Sequence, residues 1–153
     1  MSISTKRLVL GAVLCAATLG CQAQPLTLSA PFDLCAKAVK GVTYDPSTGI
    51  DADVIHAHSA KAKATVYVGQ HPDIPPGMNI QRDKTRYVPR DLGASLQYIA
   101  ESPRRDGHGT VRLYGYDRAP SDQILILVSA DDGAPNANLV RQIGDALVRC
   151  KGP

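Results

Sequence analysis

Two cysteines set the tightest bound on how this chain can fold. Of the four in the sequence, Cys15 and Cys21 lie near the N-terminus, while Cys35 and Cys150 stand near the two ends of the remaining chain. In a reducing compartment the second pair reads as two buried thiols; in an oxidising one it is expected to form a disulfide. That bond would close a loop of more than a hundred residues. In the chain-entropy account such closure stabilises a fold by about 4 to 5 kcal/mol. It would also bring the first and last elements together, so the compartment matters.

The first 23 residues carry the signal for compartment. Lys6 and Arg7 form a short positive region, Leu8 to Leu19 run without a charge, and small residues follow at Gly20, Cys21 and Ala23. Such an order is that of a secretory leader. The run is shorter than the roughly 20 apolar residues that a membrane-spanning helix needs. Thr18-Leu19-Gly20-Cys21 resembles the lipobox of bacterial lipoproteins, with Thr18 where Leu is usual. The resemblance implies cleavage before Cys21, acylation of that cysteine and, with Gln22 after it, transport to the outer membrane. Cys21-Gln22-Ala23 also fits the small-x-small pattern of ordinary signal peptidase, which would release a soluble chain starting at Gln24. Both readings place residues 24–153 in the periplasm as a single domain, soluble or anchored to the outer membrane, and both leave Cys35 with Cys150.

Composition removes several classes of function. The formal charge of +3 falls to +1 once Lys6 and Arg7 leave with the leader, so neither nucleic acid nor an anionic membrane is expected as a partner on bulk electrostatics. Contact with a membrane is expected only through an anchor at Cys21. One Phe, six Tyr and no Trp make a thin platform for stacking bases or sugars. Glu101 is the sole glutamate, which excludes a Glu-Glu glycosidase pair.

Periodicity predicts a two-layer α+β sandwich. A first helix is expected from Ser29 to Gly41, with Pro31 in its first turn and Phe32, Cys35 and Val39 on one face. Asp45 to Gly49 reads as a turn. Val54–His58 and Ala64–Gly69 read as a β-hairpin. A helix from Asp91 to Ser102 is expected on the spacing of Leu92, Leu96 and Ile99. Thr110–Asp117 alternates as a half-buried strand, and Ile124–Val128 is apolar on both faces, as a central strand is. The last helix starts near Pro135 and carries Leu139, Ile143, Leu147 and Cys150 along one stripe. N- and C-terminal helices would then lie side by side on one antiparallel sheet, joined by the disulfide.

Residues 71–90 hold the most distinctive surface chemistry. Pro72, Pro75, Pro76 and Pro89 deny donors to any ladder, while Arg82, Lys84, Arg86 and Arg90 surround Tyr87. Arg and Tyr anchor interfaces well, and prolines lower the entropy cost of docking. Chemistry finds less support. His56 and His58 share a strand face and could ligate a metal with His71 or an Asp, but an H-x-H alone also fits an exposed polar face. The chain carries no Gly-x-Ser-x-Gly elbow and no phosphate loop, and Ser59 with Lys61 makes a Ser-Lys pair in composition only. No catalytic residue and no cofactor is therefore expected. The sequence points to an exported, non-catalytic binding protein of the bacterial envelope, of inhibitor or immunity type. It would block a periplasmic enzyme or toxin of acidic surface through Arg82, Lys84, Arg86, Tyr87 and Arg90. A structural or accessory envelope lipoprotein is the alternative, followed by a metal-dependent enzyme or carrier.

Overall fold

The computed structural model describes residues 24–70, 96–119 and 122–150. Nine strands and one helix occur among them: β1 (Leu26–Ser29), β2 (Leu34–Ala36), β3 (Thr43–Thr48), β4 (Ala52–His58), β5 (Lys63–Gly69), β6 (Gln97–Pro103), β7 (Thr110–Ala119), β8 (Asp122–Ala130), α1 (Ala134–Ala146) and β9 (Leu147–Arg149). β3-β4-β5-β8-β7-β6 form a six-stranded sheet and β1-β2-β9 a three-stranded one, with all paired strands antiparallel. The expected α+β sandwich with helices at both ends is therefore wrong. The described protein is mostly β, with one C-terminal helix.

Alternation along the strands dictates what each sheet face buries. One face of the large sheet presents Ile55, Val66, Val68, Tyr116, Ile124, Ile126 and Val128, packed in one cluster with Leu139, Val140 and Ile143 of α1 and with Leu28 and Leu34 of the small sheet. The other face gathers Val111, Leu113, Leu125 and Leu127, with Tyr67, Ile99 and Ala100 against them. β8 lies between β5 and β7 and contributes to both clusters, as its unbroken apolar run implies.

The first expected helix is instead β1, a turn and β2. Leu34, Cys35 and Ala36 are all buried, which suits a strand covered on both faces and not a helix with one apolar stripe. Asp33 takes a positive φ of 52° in the turn before them. Ser29 does not cap a helix. Its hydroxyl accepts the Phe32 N–H at 3.4 Å and donates to the buried Asp53 carboxylate at 2.6 Å, fastening the turn to β4. The expected helix across residues 91–102 is likewise strand β6 over Gln97–Pro103; residues 91–95 lie outside the described set. A bulge between Tyr98 and Ala100 inserts one residue. Leu96 and Ile99, three apart as on a helix face, pack into the clusters on opposite sides of the sheet, as residues an odd number apart on a strand do. The turn expected at Asp45–Gly49 is mostly edge strand β3, and α1 stops at Ala146, so Leu147 belongs to β9 and Cys150 follows it. Pro46 and Pro103 fall on β3 and β6, the two outer strands, where a missing N–H costs least and discourages pairing with another sheet.

The ends of the described chain are locked together. Cys35 and Cys150 are disulfide-bonded across 115 residues, with Cα atoms 4.9 Å apart. Around them Cys150 N–H donates to the Asp33 carbonyl at 3.0 Å, Arg149 pairs with the Asp33 carboxylate at 2.7 Å, and its guanidinium lies 3.8 Å over the Tyr116 ring. The Tyr116 hydroxyl donates to the Phe32 carbonyl.

α1 approaches β7 closely because Gly144 has no side chain: a Cβ there would overlap the Tyr114 hydroxyl. Gly144→Ala is expected to destabilise the fold by about 1 to 3 kcal/mol through overpacking, measurable by urea unfolding. Burial pushes the Tyr116 phenol up to about 12. Because the folded value lies above the unfolded one, this group's contribution is complete below about pH 10 and is lost as pH rises through the folded value. Unfolding midpoints should therefore fall from about pH 10 upward, and Tyr116→Phe should flatten part of that decline.

Candidate functional site

At the end of the large sheet where β5 begins and β8 finishes, the second face changes from apolar to polar. Three directly opposed residues carry the change: His56 on β4 faces Thr65 on β5, which faces Ser129 on β8. Lys63 follows on the same face as Thr65, two residues earlier, opposite His58. The turn after β6 brings Arg104 over this row, and Asp131 follows β8. Together these residues line an open basin of about 700 Å³.

Its electrostatics are uneven. Arg104 pairs with the Asp131 carboxylate and lies 3.1 Å from that of Asp106, so its charge is largely answered by neighbouring carboxylates. His58 Nδ1 stands 3.7 Å from Asp45 on the edge strand. Among the described residues, Lys63, His56, Thr65 and Ser129 have no side-chain hydrogen bond or ion pair. Two hydroxyls, an ammonium and an imidazole thus face water with their donors unused. The basin's one lining carboxylate, Asp131, is taken by Arg104.

Activation of a hydroxyl needs a base within about 3.2 Å of it, and neither imidazole bonds to Thr65 or Ser129 among the described contacts. His56 and Ser129 are two strands apart, about 10 Å between backbones. Ser59 and Lys61 meet only through the Lys61 backbone N–H, 3.4 Å from the Ser59 hydroxyl.

The sequence-derived candidates fare differently. Arg82, Lys84, Arg86, Tyr87 and Arg90 lie outside the described residues, as do Cys21 and His71. The ends of the intervening chain are placed: Gly69, Leu125, Gly115 and Gln97 form one row across the sheet, at the end away from the basin. Those ends stand three strand spacings apart, about 14 Å, and Gln70 is held there by its side-chain amide donating to Asp122 at 2.6 Å. Cys35 and Cys150 form the expected disulfide. His56 and His58 do share a face, within the basin.

Lys63, Thr65, Arg104 and Ser129 are not singled out by the sequence. Thr65 is within reach of it, since a four-residue loop after His58 sets it opposite His56. Ser129 is not, because β5 meets β8 only after the chain has passed through β6 and β7.

No protein-family model, curated protein or solved structure matches the chain.

Zinc requires three or four ligands; no group of three or more His, Cys, Asp or Glu side chains suited to a metal occurs among the described residues, and His71, which the sequence offers as a third ligand, lies outside them. Equimolar Zn²⁺ should leave the ring signals of His56 and His58 in place in an NMR titration. A stoichiometric shift of both would support the metal reading.

Proposed function

We propose that this protein is an exported, non-catalytic binding protein of the bacterial envelope, of inhibitor or immunity type, that engages a protein partner of acidic surface. One observation carries the reading: the basin collects unused donors and one cation without an ion partner among the described residues, and holds no hydroxyl bonded to a base. A surface of that kind attracts and orients negative groups, through charge-assisted hydrogen bonds stronger than neutral ones.

Two further features agree with it. The segment leaving Gln70 and returning at Leu96 is basic around Tyr87, so it favours a partner of the same sign as the basin does. Both of its ends join strands of a sheet packed against the disulfide-linked chain ends, which suits a chain working outside the cytoplasm. The leader and the lipobox-like residues at Cys21 favour the periplasm, with the chain soluble or anchored to the outer membrane.

Capture from envelope extracts tests this reading, comparing the wild type with Arg82→Ala/Arg86→Ala/Tyr87→Ala. A single enzyme or toxin should be retained by the wild type, lost at least about tenfold by the triple variant, and reduced in activity when the purified protein is added. A captured partner whose activity is unaffected would overturn the inhibitor reading in favour of a structural or accessory role. Equal retention by the triple variant would remove residues 82–87 from the interface.

A further inference from the structure

We infer that the row Thr65–Ser129, flanked by His56 and Lys63, is a carboxylate-binding subsite, and that the acidic partner seats one Asp or Glu side chain there. The inference rests on the basin being a recognition surface, as proposed above, and adds what group it takes and where.

Geometry selects the carboxylate. Thr65 and Ser129 are directly opposed on adjacent antiparallel strands, so their side chains stand about 5 Å apart on one face. At that spacing each hydroxyl can donate to a different oxygen of one carboxylate lying between them. Neither hydroxyl has another partner among the described residues. A neutral ligand would leave the Lys63 ammonium unanswered, whereas a carboxylate accepts from hydroxyls and cation together.

The surrounding charges leave this position to an incoming anion. Arg104 is engaged by Asp131 and Asp106, and His58 faces Asp45, so the nearby carboxylates of the chain are directed at those two groups. Lys63 is fixed at its backbone, where its N–H donates to the Asn136 side-chain oxygen at 3.0 Å. That bond ties the start of β5 to the start of α1 and holds the ammonium's stem at the basin's edge. Thr65 and Ser129 are half-buried, so their hydroxyls are set by the strands and not by mobile stems. A preset pair of donors loses little entropy when it binds.

Titration of the purified protein with acetate, followed by NMR, is the direct test, with chloride at matched ionic strength as control. Saturable shifts confined to His56, Lys63, Thr65 and Ser129 are expected, with apparent affinity on the order of millimolar or weaker for so small a ligand. Lys63→Gln, and separately Thr65→Val/Ser129→Ala, should each weaken acetate at least about tenfold while leaving signals elsewhere unchanged. If the double variant fails to fold, Lys63→Gln decides the matter alone. Equal shifts with chloride, shifts unaltered by the variants, or phosphate bound about tenfold more tightly than acetate would each overturn the inference. Acetate binding without any captured partner would defeat the inhibitor reading and leave the subsite standing. A partner retained equally by wild type and basin variants would show the reverse.

Discussion

The seam between Cys35 and Cys150 is the constraint on which the rest of the structure depends. It joins the strand after the first turn to the residue after the last strand, and β2 is paired on one side with β1 and on the other with β9. The small sheet therefore exists only where the two ends of the described chain meet. A bond closing so long a loop stabilises mainly by limiting the unfolded chain, by about 4 to 5 kcal/mol in that account. The native contacts around it are separate contributions: Arg149 on Asp33 and over Tyr116, and Ser29 on Asp53. They hold the seam against one face of the large sheet, which that seam and α1 then share.

Covering one face in this way determines what the other can do. Along β8 the second face reads Leu125, Leu127, Ser129, and along β5 it reads Gly69, Tyr67, Thr65 in the matching order. Both strands turn polar at the same end, where His56 completes the row. Burial of a hydroxyl without a partner costs a few kcal/mol. A row of unpartnered hydroxyls is thus tolerable only where water, or a ligand replacing water, satisfies it. The basin is placed where the sheet can keep such groups solvated and still fix their positions.

Sequence legibility follows the range of the information needed. The hairpin β4–β5, the pair β7–β8 and the start of α1 can be read because turn residues and short-range alternation specify them. The N-terminal helix is a misreading because three consecutive buried residues in β2 depend on β1, β9 and the disulfide, none of which the local pattern reveals. β6 is misread because Leu96 and Ile99 stand at a helical spacing in the sequence, while the sheet sends them to opposite faces. The disulfide itself is legible from cysteine number and the leader, although strand β2 and the residue after β9 carry it in place of the expected helices.

The same distinction applies to the site. His56 and His58 are visible as a spaced pair, and the pair suggests metal because the sequence offers no view of what lies beside them. Placed in register, they stand next to hydroxyls and a lysine, with Asp45 at the edge and Asp131 already bound to Arg104. The neighbours change the chemistry: a metal needs further electron-pair donors, whereas the Lys63 ammonium has only protons to offer, and the Thr65 and Ser129 hydroxyls can donate one each. A cation would meet that ammonium with repulsion, and an anion would meet it with attraction. Strand register therefore converts a histidine pair that suggests a cation site into part of a surface that favours an anion.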